Sequence, residues 1–559
     1  MDRRSDRFRL LLCVVLIVAS VLATIPALEM GTNDDWSYAW VARELANSGH
    51  FTYNGWIGAM IGVQAWWAAL LIRCFGYSFT LVRLSTLPFA AGCSVLLYRL
   101  GRLAGLNPSF ALFGCLSITL SPVFIPVAAS FMTDVPGCFF WLAGVYCMIQ
   151  AARAASSNRV CVWMAAGAVA GIAGGTVRQV VWLVPLLALP TVAWMRRTER
   201  RAIAGASLLW LLSALAIVLC LRWYSQQPYV TEMPREPEVW SDLAQSSIES
   251  ALQFAAACLV LMAPVLALHM TGWRQWMRTP APLAYGMMVA GILATGLWWF
   301  GDSPLLGNVV TSKGMLGQGL DLLGTKPEIL PMPVRLLSGT ALFLAAGFTI
   351  ATQLADRQRF GGRLPERLRQ FLWIVAPSCV FYTLAVIYRS VRDWLLFDRY
   401  CILLLPLLIV PLLWHFQQRI RDTPPVWSWM VIALFACFGI ALTHDYLAAG
   451  RARVTAASTV THAGIPRTHV SAGLEYDGWT QLEQAGRIPS PKEQAASPPR
   501  RFPVSPPFWF WTKTPSVDPQ YVVTYSRLKG LIDSSFPPLS YTAWLPPFHR
   551  QVLIQKSPE

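Results

Sequence analysis

The sequence predicts a mainly α-helical, polytopic membrane protein, and three observations predict it. Hydrophobic residues make up 55% of the 559 positions and charged residues only 13%, about half the charge of an ordinary soluble chain. Apolar runs of about 20 residues, enough to cross a hydrocarbon core as a helix, recur through the first 445 positions. Arginines gather in alternate short loops between those runs, as cytoplasmic loops do. The same composition, with a mean hydropathy of +0.46, excludes disorder, a collagen-like repeat and a small disulfide-stapled module. The net charge of +16 is therefore read as loop arginine rather than as a nucleic-acid surface.

Taken in order, the runs lie near 10–28, 80–98, 109–127, 135–152, 160–177, 179–195, 203–221, 248–268, 281–299, 335–353, 371–388, 400–416 and 427–444. They predict about thirteen spans. The first follows MDRRSDRFR without a small-residue cleavage site and is kept as a span. With the N-terminus inside, cytoplasmic loops hold Arg99/Arg102, Arg153/Arg159, Arg196 to Arg201, Arg274/Arg278, Arg357 to Arg369 and Arg419/Arg421. The outer loops are longer and mixed in sign, as in TEMPREPEVWSD. An odd number of spans puts the C-terminus outside, which is the periplasm for a bacterial inner membrane. Residues 446–559 change character, with a Pro/Ser-rich stretch and strand-like runs at QYVVTYS, SYTAWL and HRQVLIQKS. They predict a small C-terminal α/β domain beside a membrane domain of residues 1–445. All 12 cysteines precede residue 440 and none has CxxC spacing, so neither zinc nor a disulfide framework is indicated.

Candidate chemistry lies in the outer loops. In EMGTNDDWSYAWVARELANSGH, Thr32 with Asp35 three residues on predicts a capped helix through Trp36, Trp40 and Leu45. It is expected to lie along the membrane surface, with Trp36, Tyr38 and Trp40 in the headgroup zone. Asp34 and Asp35 are then either helix-terminal acids complementing the dipole or a general base with a neighbour that tunes it. Asp134, in SFMTDVPG, opens another helix at the same face; it too is either a cap or a member of the site. Arg178, Lys313, Arg389, Arg392 and Arg399 are the cations on that side, and an arginine fork matches phosphate oxygens. Lys313 belongs to a Gly-rich loop, GNVVTSKGMLGQGLD, of a kind that orders over substrate. No P-loop, dinucleotide, HExxH or GxSxG motif is present, which leaves transfer from a lipid-linked phosphate as the class that fits.

On these motifs the sequence resembles the GT-C glycosyltransferases, the superfamily of protein O-mannosyltransferases and lipid A aminoarabinose transferases. The resemblance rests on Asp34-Asp35-Trp36-Ser37-Tyr38-Ala39, on FGYSFTLVRLSTLPFAAGCSVLLYRLGR, on Thr133-Asp134-Val135-Pro136, on Asp398-Arg399-Tyr400 before LLLPLL, and on AGLEYDGW. It covers residues 1–180, 389–412 and 468–480. It implies a GT-C fold, a sugar on polyprenyl phosphate as donor, and a lipid, polysaccharide or protein hydroxyl as acceptor. It implies Asp34 as the base, with inversion at the anomeric carbon. Asp134 becomes the second acid, which holds a divalent cation in some members. The chain departs from many bacterial members in reading GAMIGVQAWWAALL where they carry a Pro-Pro-Leu run; sugar and acceptor stay open. A transporter or flippase, or a polymerase or ligase of lipid-linked glycans, is the alternative class.

Overall fold

The computed structural model describes residues 3–230, 240–272, 280–300, 307–311, 313–317, 321–360, 364–393, 396–496 and 501–558. The chain is a multi-span membrane protein. Its helices run α1 (Arg3–Ala23), α2 (Asp35–Ser48), α3 (Gly62–Phe75), α4 (Phe79–Leu84), α5 (Leu87–Ala104), α6 (Pro108–Thr119), α7 (Phe124–Ala128), α8 (Asp134–Arg153), α9 (Ser157–Val177), α10 (Leu189–Met195), α11 (Arg200–Ser225), α12 (Trp240–Leu261) and α13 (Ala263–His269). They continue as α14 (Pro280–Phe300), α15 (Met332–Phe360), α16 (Glu366–Asp393), α17 (Leu405–Arg419), α18 (Val426–His462), α19 (Leu474–Ala485) and α20 (Pro491–Ala496).

Among the described residues, 7 helices are long and apolar enough to cross a membrane, or 8 if the pair bent by 72° near Met262 counts as one. The thirteen expected spans are thus not thirteen continuous helices, and the reason is local. Ser121 and Pro122 break the 109–127 run into α6 and α7. Pro185 and Pro190 turn the 179–195 run into short 3-10, π and α pieces, since a proline removes an intrahelical donor. The 400–416 run begins in a 3-10 turn, Asp398–Leu403, before α17. Arg274 and Arg278 lie outside the described residues. Small residues bring spans together: a Cβ on Gly167 of α9 would come within 3.2 Å of the Gly144 carbonyl of α8.

Two expectations for the outer side change. Helix α2 is not a surface helix: Trp36, Tyr38 and Trp40 are all buried. The C-terminal part of the chain covers the two tryptophans. Trp36 packs edge-on against Phe510, Trp40 against Trp479, and a Cβ on Gly478 would strike the Trp36 ring at 2.8 Å. The expected boundary at 445/446 falls inside α18, which continues without a break to His462. Beyond it, the strand-like runs form β2 (Tyr521–Thr524), β4 (Leu539–Thr542) and β5 (His549–Lys556), joined by β1 (Val470–Ser471) and β3 (Ile532–Asp533). β1 lies parallel to β2, β2 antiparallel to β5, and β3 and β4 both pair antiparallel with β5. Val470, Val523, Val552 and Ile554 of this sheet share one apolar core with Leu28, Met30, Leu322 and Leu447. The sheet is therefore docked on the loop between α1 and α2 and on α18.

Asp477 joins β1, α19 and the aromatic segment after residue 501. The buried carboxylate accepts from Ser471 Oγ at 2.6 Å, the Ala472 amide at 3.1 Å and Trp511 Nε1 at 3.1 Å. Burial pushes its pKa up to about 7, against the lowering effect of those donors. The folded protein thus holds a proton that the unfolded chain releases at lower pH, so this stabilisation is complete below the ordinary carboxylate pKa and is lost as pH rises through about 7. Thermal unfolding of the purified full-length protein should show a melting temperature that falls between about pH 5 and pH 8, and Asp477→Asn should flatten that slope. An unchanged slope in the variant would assign the pH dependence to other groups.

Candidate active site

The segment from Pro26 to Asp35 carries the first acidic pair and has almost no regular structure, so other elements must hold it. Arg83, buried on α4, does most of this. Its guanidinium donates to the carbonyls of Pro26 at 2.8 Å, Leu28 at 3.0 Å and Met30 at 2.8 Å. Asp35 closes the far end. It accepts from the Thr32 amide at 2.5 Å, the Thr32 hydroxyl at 2.7 Å and the Phe131 amide at 3.1 Å. Thr32 therefore donates to Asp35 and does not cap α2. Asp35 is 2% exposed, and burial raises its pKa although Arg83 and its donors oppose the shift. Both oxygens of Asp35 are taken, which makes it a tie between two loops and removes it from the groups that can meet a substrate.

Asp34 behaves differently. It stands at the N-terminus of α2 without a side-chain capping bond. Its side chain is 26% exposed, with Arg399 Nη2 at 3.9 Å from Oδ2. Trp56 Nε1 donates to Oδ1 at 2.9 Å. The preceding Asn33 adopts a left-handed φ of 59°, a conformation asparagine tolerates better than most residues, and this turns Asp34 out of the helix axis. Asp134 begins α8, ion-paired with Arg178, and lies 3.8 Å from Arg399 Nη1. Arg399 thus stands between the two acids. Tyr38 is buried beside them, its phenol held well up by burial and then by the Asp34 charge.

The structure brings Asp34, Asp134, Arg178 and Arg399 together, and Arg178 and Arg399 also stack against the Tyr400 ring at 5.0 and 5.9 Å. The ion pairs of the two acids go to these arginines and not to Lys313 or Arg389, which are both exposed. The side chain of Arg392 lies outside the described residues. The Gly-rich loop does reach the site, though not through Lys313: Asp398 accepts from the amides of Val309 at 3.2 Å and Val310 at 2.8 Å, and Asn308 Oδ1 accepts from Asn33 Nδ2 at 3.5 Å. A pocket opens beside the cluster, lined by Asn33, Ser130, Asn308, Gly317, Arg399 and Tyr446 among others. Arg399 Nε and Nη1 and Asp134 Oδ2 are buried without hydrogen-bond partners, a costly arrangement unless a ligand supplies them. The surroundings of Asp134 do not fit a divalent cation, because two guanidinium groups already face this carboxylate. No three His, Cys, Asp or Glu side chains converge among the described residues.

Trp56 and a second buried network were not singled out in the sequence. Glu475, fully buried on α19, accepts from the Asn33 amide at 3.1 Å and the Tyr446 hydroxyl at 2.9 Å, and pairs with Arg453 at 2.8 Å. Arg453 also approaches Asp321, 3.6 Å away. Asp321 in turn binds Lys326 at 2.7 Å. Burial raises the Asp321 pKa, but Lys326 and Arg453 outweigh it and hold the carboxyl below its ordinary value. AGLEYDGW thus reaches from the C-terminal domain to the residue before Asp34. Removing one partner of a buried pair leaves an uncompensated charge, so Glu475→Ala should destabilise the fold by about 3 kcal/mol. Asp533→Ala, which breaks the exposed Arg527 pair, should cost under about 1 kcal/mol. Denaturant or thermal unfolding checks both, and equal losses would contradict the network.

Residues 63–224 match the family described as dolichyl-phosphate-mannose-protein mannosyltransferase. No curated protein matches the chain. Among solved structures the chain is similar to ArnT from Cupriavidus metallidurans in the apo state, at 14% identity over 98% of this chain and 99% of that one, with a TM-score of 0.38. It is also similar to the archaeal oligosaccharyltransferase AglB from Archaeoglobus fulgidus, in complex with an inhibitory peptide and a dolichol-phosphate, at 13% identity over 90% of this chain and 63% of that one, TM-score 0.41. The Saccharomyces cerevisiae protein O-mannosyltransferase Pmt1-Pmt2 complex is similar at 15% identity over 41% and 35%, TM-score 0.33. The family match spans less than a third of the chain.

Proposed function

We propose that the chain transfers a sugar from a polyprenyl-phosphate donor to a hydroxyl acceptor at the outer face of a bacterial inner membrane. One observation carries the reading: Arg399 lies between Asp34 and Asp134 with two buried donors unsatisfied, beside a cavity. An oxygen of a phosphate monoester or diester would satisfy a guanidinium donor left open there. Asp34 is the exposed member of the acidic set and the one held by a neutral donor, Trp56. It is the group able to accept a proton from an incoming hydroxyl.

The steps balance without a further reactant. The acceptor oxygen loses its proton to Asp34 and forms a bond to the anomeric carbon. The bond from that carbon to the phosphate oxygen breaks, and its electron pair leaves on the phosphate. Arg399, with Arg178 beside it, stabilises the charge that develops there. Asp134 fixes both guanidinium groups by its pairing with Arg178 and its proximity to Arg399. Asp35, Glu475 and Arg83 act as positioning residues.

Mass spectrometry of envelope glycolipids and glycoproteins, with and without the gene, should reveal one sugar mass that depends on it. Asp34→Asn should abolish that mass while the protein still inserts in the membrane. Arg399→Lys keeps the charge but loses the fork, and should lower transfer by about a hundredfold. Full transfer by the Asp34→Asn protein would exclude the base role.

A further inference from the structure

Helix α18 carries a lipid-facing stripe. Val426, Met430 and Leu434 are 81%, 62% and 67% exposed, and Cys437 follows them. These residues are spaced by four, four and three, which keeps them on one face. Two turns on, the same face reaches His444. The distance along the axis from Val426 to His444 is about 27 Å at 1.5 Å per residue, close to the ~30 Å of a hydrocarbon core. Beyond it the helix turns polar, with Asp445, Arg451 and Arg453. The exposed part of the stripe ends at Cys437, and on the same face two turns further on His444 is buried.

At that level the chain places an aromatic loop from a remote part of the sequence. The Trp544 ring stacks on His444 with centroids 3.9 Å apart and planes 10° from parallel. Buried Asp445 accepts from the amides of Trp544 at 2.6 Å and Leu545 at 3.0 Å. It also pairs with Arg550 at 3.2 Å. Arg550 donates in turn to the carbonyls of Leu545 at 2.7 Å and Pro547 at 3.0 Å. The WLPPF loop is thus bolted to the helix, yet Trp544 stays 44% exposed and Phe548 55% exposed. A loop that spends this many buried bonds on its backbone while leaving two large aromatic rings uncovered is built to present them.

We propose that residues 543–548 form an interfacial anchor, with Trp544 and Phe548 seated among phospholipid headgroups of the outer leaflet. The occupant is lipid because the loop continues the lipid-facing stripe of α18, and because a Trp at a membrane–water boundary keeps its apolar ring in the lipid and its polar edge wet. The anchor fixes the C-terminal sheet at a set height over the membrane. It does not depend on the proposed transfer reaction.

Photocrosslinking of the full-length protein in nanodiscs of phosphatidylethanolamine and phosphatidylglycerol tests this. A benzophenone amino acid would replace Phe548, Leu434 or Asp533 in turn. Leu434 is on the stripe, and Asp533 pairs with Gln555 near the far end of β5, about 20 Å along the strand from the loop. Phospholipid adducts are expected at positions 548 and 434 and not at 533. Adducts at 434 with none at 548 would overturn the anchor, as would crosslinks from 548 to protein, whether a second copy or another chain.

Discussion

The site depends on one constraint: the irregular segment from Pro26 to Asp35 must be held rigid although it has no hydrogen-bond ladder of its own. Backbone groups outside helices and sheets need other partners, and here buried charges provide them. Arg83 takes three carbonyls, Asp35 takes the Thr32 and Phe131 amides, and Glu475 takes the Asn33 amide. Each of these groups is buried, so each is expensive to leave unpaired and correspondingly firm when paired. Asp34 is the residue left over, turned toward Trp56 and Arg399 rather than into the framework.

This explains why adjacent identical carboxylates have different roles. Asp35 faces inward from the first turn of α2 and is consumed by neighbouring amides. Asp34, one residue earlier and after a left-handed Asn33, falls outside the helix and points to the cation cluster. The membrane domain contributes Asp134, Arg178 and Arg399, while the C-terminal domain contributes the support through Glu475. The two parts of the chain thus make one site, and α18 runs through both.

Much of this was legible in the sequence. The membrane class followed from composition, and the long spans α5, α8, α9, α11, α15, α16 and α18 from their apolar runs. The acids at 34 and 134 and the arginines at 178 and 399 were visible as charges in the loops beside apolar runs. What was not legible has physical reasons. Breaks such as Ser121-Pro122 cut apolar runs whose hydropathy alone looks continuous. Burial of Trp36 and Trp40 depends on Phe510 and Trp479, over 400 residues away in the chain. Arg83 was visible only as part of a motif, and its task of gripping three carbonyls could not be read from periodicity. Lys313 and Arg389 carried the same charge signal as Arg399, and only the packing of the 3-10 turn before α17 separates them.

The direct measurement is an electron cryomicroscopy map of the full-length protein with a polyprenyl phosphate added. The account predicts phosphate density against the Arg399 guanidinium, with Asp34 and Asp134 still on either side of it. Phosphate bound elsewhere, with Arg399 satisfied by protein groups or the two acids parted, would contradict it.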